Sequence, residues 1–221
     1  MKLKITKLQI LAWALSFLPL IAVAAVYRVL PAQIPMHWGF DGAVEYSAKY
    51  QLWLVAGMAP LFGALFFVLP LIDPKGRSYD KFRGSYDLFQ IIMMLFLLVV
   101  TGVVITESLR PGTVNVATLV CALCGIFYIA LGNMMPKFRQ NFFCGFRTPW
   151  ALSSEAVWTR TQRLGGQLMF AAGFVALAGA FLPGDMWRML ALFVPLAVAV
   201  LLPGVMSYIW YRREQERQEE P

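Results

Sequence analysis

Six long runs without a single charged residue dominate the chain. Each has roughly the 20 residues that a helix needs to cross about 30 Å of hydrocarbon. The runs are Leu8–Tyr27, Tyr50–Ile72, Leu88–Thr106, Pro111–Pro136, Leu164–Gly184 and Met189–Tyr211. They lack the polar–apolar alternation of a membrane β-strand and are about twice as long as one. The pattern therefore predicts an all-α, polytopic membrane protein with six transmembrane helices.

The first run is also compatible with a secretory signal, since Lys2, Lys4 and Lys7 precede it. However, it is longer than the usual apolar core of a signal, and it leads into Tyr27-Arg28 rather than a small-residue cleavage site. A retained first span is therefore favoured. The composition agrees with a membrane protein, because 59% of the residues are hydrophobic and only 14% are charged.

The distribution of Lys and Arg predicts the orientation. With six spans, 15 of the 19 basic residues lie on the side of the two termini and only Arg28, Lys49, Arg110 and Arg188 lie on the other. The positive-inside rule then places both termini in the cytoplasm. We expect a multi-pass protein of the cytoplasmic (inner) membrane. The net charge of +7 follows from this topology. It indicates contact with anionic membrane lipids rather than direct nucleic-acid binding.

Four segments divide the chain. Residues 1–72 form a first helical pair with a proline-rich outer loop, which is turn-rich and non-helical, and residues 73–113 hold a second loop and the third span. Residues 114–211 contain spans four to six and a long cytoplasmic loop, 136–164, and residues 212–221 form a charged tail. Within the long loop, Ser153–Arg163 is predicted to be a short interfacial helix, because a Ser start is followed by Glu155.

The sequence offers few candidates for catalysis or metal binding. His37 is the only histidine, and Pro35, Gly39 and Gly42 argue against a helix that would align it with Asp41 and Glu45. A structural His is the preferred interpretation, so we expect no metal, no cofactor and no catalytic residue. Glu107 at the edge of the third span is interpreted as a local partner of Arg110.

The long cytoplasmic loop combines arginines with large aromatic residues. Arginine offers forked donors for phosphate or carboxylate, and aromatic faces offer stacking or contact with lipid headgroups. These side chains could either dock the loop on anionic lipid or bind a specific partner, and both alternatives remain open. The basic members are Lys137, Arg139, Arg147, Arg160 and Arg163, and the aromatic ones are Phe138, Phe142, Phe143, Phe146, Trp150 and Trp158.

Two segments resemble the SdpI immunity-protein family of bacterial membrane proteins. The first is Leu30-Pro-Ala-Gln-Ile-Pro-Met-His-Trp-Gly39, followed by Asp41-Gly42, and is similar to a domain of unknown function found in these proteins. The second begins at Gly132-Asn-Met-Met-Pro-Lys137 and continues through Asn141, Gly145-Phe-Arg-Thr-Pro-Trp150 and Trp158 to Gly166. The chain has Gln162 where the family commonly has His, so a proton-switching or metal-binding role is doubtful there, whereas a hydrogen-bonding role remains.

The resemblance implies a non-enzymatic function. It implies immunity to a secreted peptide toxin on the outer face, membrane signalling through a cytoplasmic repressor-like protein on the inner face, or both. The candidate binding residues are His37, Trp38, Asp41, Asn133, Pro136, Lys137, Asn141, Arg147, Thr148, Pro149, Trp150, Trp158, Thr161 and Arg163.

Two other functions are weighed against this one. A small transporter or exporter of an amphipathic peptide or lipid would grip its cargo with the arginines of the long loop. A membrane enzyme acting on lipid headgroups lacks an acid and a base at a convincing spacing.

Overall fold

The computed structural model describes residues 5–39 and 43–219. Within these ranges it contains seven α-helices and one two-stranded antiparallel sheet. The helices are α1 (Lys7–Val26), α2 (Gln51–Ile72), α3 (Arg83–Leu109), α4 (Val116–Met134), α5 (Pro149–Ser153), α6 (Glu155–Gly179) and α7 (Asp185–Glu219). The strands are β1 (Gln33–Trp38) and β2 (Val44–Ala48), and short 3₁₀ helices cover Gly76–Phe82 and Met135–Lys137.

Capping residues fix where several helices begin. The hydroxyl of Thr6 accepts a hydrogen bond from the Gln9 amide, while the Gln9 side chain accepts one from the Thr6 amide, which forms a capping box before α1. Asn115 caps α4 and Ser154 caps α6 in the same general way. These caps satisfy backbone donors that the first turn of a helix cannot pair internally.

The predicted turn-rich outer loop is a β-hairpin. β1 and β2 pair with a register irregularity between Pro35 and His37, because Pro35 has no amide hydrogen to donate. The hairpin is tied to the end of α1 by Lys49, whose Nζ donates to the carbonyls of Tyr27 at 3.2 Å and Leu30 at 3.0 Å. The loop is non-helical as predicted. Its two strands were not predicted, because the prolines among its apolar residues interrupt the sequence pattern of a strand.

The prediction of an all-α polytopic membrane protein is confirmed, and five helices are long and apolar enough to cross a bilayer on their own. The remaining predicted span, the fifth in the chain, lies in α6 and is less apolar because one face of it carries glycines and polar residues. It runs antiparallel beside α4, so a membrane crossed by α4 is crossed by α6 as well. The count of six itself stays a prediction.

The close contact of α4 and α6 depends on paired glycines. A Cβ on Gly132 would lie 2.6 Å from the carbonyl oxygen of Gly166, and one on Gly125 would lie 2.9 Å from that of Gly173. Both distances are well below van der Waals contact, so only glycine permits the two backbones to approach so closely. Small residues serve the same purpose at many helix interfaces in membranes.

The two ends of the bundle carry different structures. The hairpin end holds β1 and β2, the α3–α4 turn and the start of α7. The loop end holds the start of α1, where Thr6 Oγ1 donates to Asp87 at 2.6 Å, and the last turns of α7, where Trp210 packs near the buried Trp158. Because both described termini lie at the loop end, the chain must cross the bundle an even number of times, which favours six spans over five.

Two boundaries differ from the sequence interpretation. Most of the predicted second loop is ordered as a 3₁₀ helix and the first turn of α3, which bury the aromatic rings of Tyr79, Phe82 and Tyr86. The predicted interfacial helix, 153–163, is not a separate element, because it continues without a break into α6. The separate short helix of this region is α5, which begins at Pro149.

The number of spans can be measured with a topology reporter that is active only outside the cytoplasm. Fused after Gly184, between α6 and α7, the reporter should be active, whereas fused after Glu219 it should be inactive. A reporter that is inactive after Gly184 and active after Glu219 would show that α6 does not cross, and would contradict the six-span arrangement.

Candidate functional site

The residues of the family-like second segment converge at the loop end, around an irregular stretch that we call the signature loop, residues 138–148. Asn141 is its centre and is completely buried. Its side-chain amide donates to the carbonyls of Arg139 at 2.8 Å and Cys144 at 3.1 Å. Its side-chain oxygen accepts from the amides of Phe143 at 2.9 Å and Cys144 at 2.6 Å. Asn141 therefore replaces the regular backbone pairing that the loop lacks.

Asp73 fastens the signature loop to the end of α2. Its carboxylate accepts from the amide of Phe142 at 2.9 Å, the hydroxyl of Tyr79 at 3.1 Å and the amide of Lys75 at 2.7 Å. Only 6% of Asp73 is exposed. A buried carboxylate needs several donors to offset lost hydration, and these contacts supply them. The sequence alone does not reveal the connection to the signature loop, because Phe142 lies 69 residues after Asp73.

Gln162 is the second anchor of the signature loop. Its side chain accepts from the Phe146 amide at 3.1 Å and donates to the Phe146 carbonyl at 2.9 Å. The backbone of Gly145 passes directly over this amide with φ of +93°, a conformation that disfavours any side chain. The hydrogen-bonding role expected for Gln162 is therefore confirmed.

Trp158 and Thr161 are structural residues inside the protein. The indole nitrogen of Trp158 donates to the Phe138 carbonyl at 2.9 Å, and only 1% of the side chain is exposed. Thr161 is also buried and donates to the Val157 carbonyl at 2.8 Å. Trp158 is therefore not available for contact with lipid headgroups, one of the alternatives for the aromatic residues of the long loop, because it faces the signature loop.

Thr148, Pro149 and Trp150 join the signature loop to α7. Thr148 caps α5 and lies 2.8 Å from the hydroxyl of Ser207, while Pro149 occupies the first turn of α5. The ring of Trp150 packs edge-on against Tyr208 at a centroid distance of 5.1 Å. These three candidates therefore hold two elements together, and Trp150 remains partly exposed.

The other candidates of this end are exposed. Asn133, Pro136, Lys137, Arg147 and Arg163 all lie on its surface. Arg147 donates from Nη1 to the Phe142 carbonyl at 3.0 Å and otherwise faces outward. The loop end thus combines a rigid buried frame with an exposed basic surface.

A basic cavity that the sequence analysis missed lies on the same end. It has a volume of about 260 Å³ and is lined by Arg160, Arg213 and Arg217 together with Trp210 and Glu214. Three guanidinium groups against one carboxylate leave an excess of positive charge. The cavity joins the start of α6 to the last turns of α7, two segments that only the fold brings together.

The outer candidates lie at the opposite end. His37 is an exposed residue of β1, and Trp38 is partly buried, whereas Asp41 lies outside the described residues. Both described residues line a cavity of about 270 Å³ between the hairpin, α4 and α7. Its other walls include Val120, Leu192 and the ion pair in which Arg188 Nη1 lies 2.6 Å from Asp185.

A second cavity adjoins the first. It has a volume of about 260 Å³ and shares Trp38, Val116, Ala117 and Asp185 with its neighbour. Glu107 also lines it, and its carboxylate accepts from the amides of Gly112 at 2.8 Å and Val114 at 2.7 Å. Glu107 therefore folds the α3–α4 turn instead of pairing with Arg110 as expected. Together the two cavities form a groove beneath the hairpin.

The thiol of Cys144 is poorly suited to nucleophilic chemistry. Burial is the main cause that raises its pKa to about 12, so the group stays protonated near neutral pH. It lies in the signature loop with 7% of its surface exposed. Its place in the structure is that of a packing residue.

Comparison with known proteins supports the resemblance. Residues 137–207 match the SdpI/YfhL protein family, and residues 14–59 match a domain of unknown function, DUF1648. The chain is 26% identical to "Immunity protein SdpI" of Bacillus subtilis (strain 168) over 207 residues, which are 93% of this chain and 95% of the relative. No solved structure matches. The resemblance predicted from the two segments is thus confirmed.

The anchoring role of Asp73 can be tested with Asp73→Ala. The change leaves the Phe142 amide without its acceptor and the Tyr79 hydroxyl with only a 3.4 Å contact to the Asn141 side-chain oxygen, at a cost of about 2–4 kcal/mol. We expect trypsin to cleave the signature loop after Arg139 and Arg147 at least about tenfold faster in purified protein. Asp80→Ala, which removes an exposed carboxylate nearby, should leave the rate unchanged. Equal rates for both variants would contradict the assignment.

Proposed function

Because the chain is a membrane protein that resembles the SdpI immunity-protein family, we propose that it protects the cell that makes it from a secreted peptide toxin. The observation that carries the proposal is the similarity to an immunity protein across nearly the whole length of both chains. We further propose that it resides in the cytoplasmic membrane, with the loop end in the cytoplasm and the hairpin end outside. The excess of basic residues at the loop end supports this orientation.

The groove beneath the hairpin is the proposed contact site for the toxin. It lies at the end that an external peptide reaches first, and its walls combine the indole of Trp38 with apolar residues such as Val116 and Leu192. An apolar groove with a few polar groups is the usual form of a peptide or ligand site. In this proposal His37 lies at the rim and Asp185 and Arg188 form the polar part of the floor.

A second proposal is signalling through a cytoplasmic regulator. The basic cavity of Arg160, Arg213 and Arg217 supports it, because forked guanidinium donors suit carboxylates on a protein surface. The exposed Lys137, Arg147 and Arg163 extend the same basic surface. The regulator would therefore present an acidic patch.

Transport of an amphipathic peptide or lipid is the alternative to immunity by binding alone. A transporter would move its cargo between the groove at the hairpin end and the loop end. Enzymatic activity is not part of the proposal, since the protonated Cys144 and the exposed His37 lie at opposite ends of the bundle and cannot act together.

Protection can be measured by producing the protein in Bacillus subtilis cells that lack their own SdpI and are grown beside toxin-secreting cells. We expect survival to be restored. Trp38→Ala should reduce it at least about tenfold, because the truncation removes the main aromatic wall of the groove. Tyr50→Ala, at an exposed aromatic residue of the same end, is the matched control.

The outcomes separate two claims. No protection by the unsubstituted protein, at membrane levels equal to those of the relative, would contradict immunity. Full protection by Trp38→Ala would contradict the groove as its site and leave immunity standing.

The signalling proposal can be tested in the cell that makes this protein, with a repressor-like cytoplasmic protein of that cell tagged with a fluorescent protein. We expect it to move to the membrane on exposure to toxin. Arg213→Glu should abolish the movement, because it reverses a charge inside the basic cavity. Arg212→Glu makes the same change at an exposed neighbour outside the cavity and should preserve it. Recruitment that is lost equally in both variants, or absent in the unsubstituted protein, would argue against this site.

A further inference from the structure

An apolar cavity inside the helical bundle has no place in the proposed function. It has a volume of about 410 Å³ and lies where α2 and α3 face α4, α6 and α7. Its walls include Phe62, Phe89, Met93, Met169 and, from the signature loop, Phe146. This volume falls within the range of ligand sites. An apolar cavity does not hold ordered water, since water needs polar partners.

The cavity opens sideways, towards the surroundings of the helices. Leu65 of α2 and Val200 of α7 both line it and are 44% and 45% exposed. They therefore mark a mouth between two helices on the surface that faces the bilayer. Leu65 lies seven residues before Ile72, the last residue of α2, which is about 10 Å from the loop end. The mouth is thus at the depth of the acyl chains of the leaflet on that side.

A surface groove continues from the same mouth. It is lined by Val200, Leu201, Gly204, Val205, Tyr208 and Trp150, and it shares Val200 with the cavity. The groove follows α7 towards the loop end and finishes at the aromatic pair of Trp150 and Tyr208. Aromatic residues of this kind prefer the headgroup level of a membrane.

A cation occurs close to Trp150 in the sequence. Arg147 directly follows Phe146, a wall of the cavity, and stands three residues before Trp150. One of its donors contacts the Phe142 carbonyl, and the side chain is exposed, so the guanidinium can also bind a phosphate. Apolar space, an aromatic rim and a cation therefore occur in an order that matches the acyl chains, the headgroup boundary and the phosphate of a lipid.

We propose that one anionic phospholipid occupies this site as a bound component of the protein. One acyl chain fills the cavity, the second lies in the groove along α7, and the phosphate contacts Arg147. The two chains separate at Val200, the residue that both spaces share. The lipid then fills the space between α2 and α3 on one side and α4, α6 and α7 on the other, and it packs against the signature loop. This proposal depends on the chain crossing a bilayer and not on immunity.

The test is native mass spectrometry of the purified protein after reconstitution with phosphatidylglycerol or with phosphatidylcholine. We expect one tightly retained phosphatidylglycerol per chain and much less phosphatidylcholine. Val200→Trp places an indole in the mouth and should abolish retention, whereas Val198→Trp adds the same group to an exposed position of α7 outside both spaces. Arg147→Gln should weaken retention about tenfold, because a hydrogen bond between charged groups is lost.

Arg163→Gln is the matched control for Arg147, since it removes an exposed arginine of α6 that lies outside the signature loop. Retention by Val200→Trp equal to that of Val198→Trp would mean that the lipid binds elsewhere on the surface, and would overturn the proposal. Equal retention of both lipid classes would overturn the role of Arg147. A protein that loses its lipid but still protects cells would leave the proposed function intact.

Discussion

The backbone contact between α4 and α6 is the constraint on which the C-terminal half of the protein depends. Where Gly132 meets Gly166 and Gly125 meets Gly173, the helices approach closely enough to leave no room for a side chain. In hydrocarbon, helices gain little from burying apolar surface against each other, so close packing of this kind is a main cause of helix association. It also holds the start of α6 against the end of α4. That contact gives Gln162 and Trp158 the positions from which they hold the signature loop.

The family-like residues of the loop end divide into two groups. Asn141, Trp158, Thr161 and Gln162 are buried, and their side chains form hydrogen bonds with the backbone. Their role is therefore structural. The exposed arginines are held by this frame but contribute little to it. A dense motif of this kind in the sequence thus marks a structural frame as well as a binding surface. Substitutions of the buried residues are expected to affect the exposed arginines by deforming the frame that holds them.

Hydrophobic run lengths and charge asymmetry were sufficient to predict the long helices and to assign the loops to two ends. Both patterns depend on whether a segment faces hydrocarbon or water, and not on contacts between residues distant in the chain. Asp73 and the cavity around Arg160 and Arg213 were not predictable in this way, because only the fold brings them together with residues that are distant in the chain. Glu107 was assigned to Arg110, whereas its carboxylate accepts from the amides of Gly112 and Val114 in the following turn. The hairpin was also missed, because Pro35 interrupts the strand signal in β1. The low apolarity of α6 was also not explained by the sequence alone. Its face of glycines and polar residues makes sense only in the fold, where α4 packs beside it.

The two prolines inside α7 have a mechanical consequence. Pro195 and Pro203 lack an amide hydrogen, so the carbonyls four residues earlier, at Ala191 and Ala199, lose their helical donors. Bending of this 35-residue rod is therefore concentrated at two joints. The segment between them contains Val200, and the segments on either side contain Arg188 and Arg213. A tilt of one end of α7 therefore bends the helix at these joints before it reaches the other end. The stiffness of the joints determines how strongly a movement at one end of the bundle displaces the other.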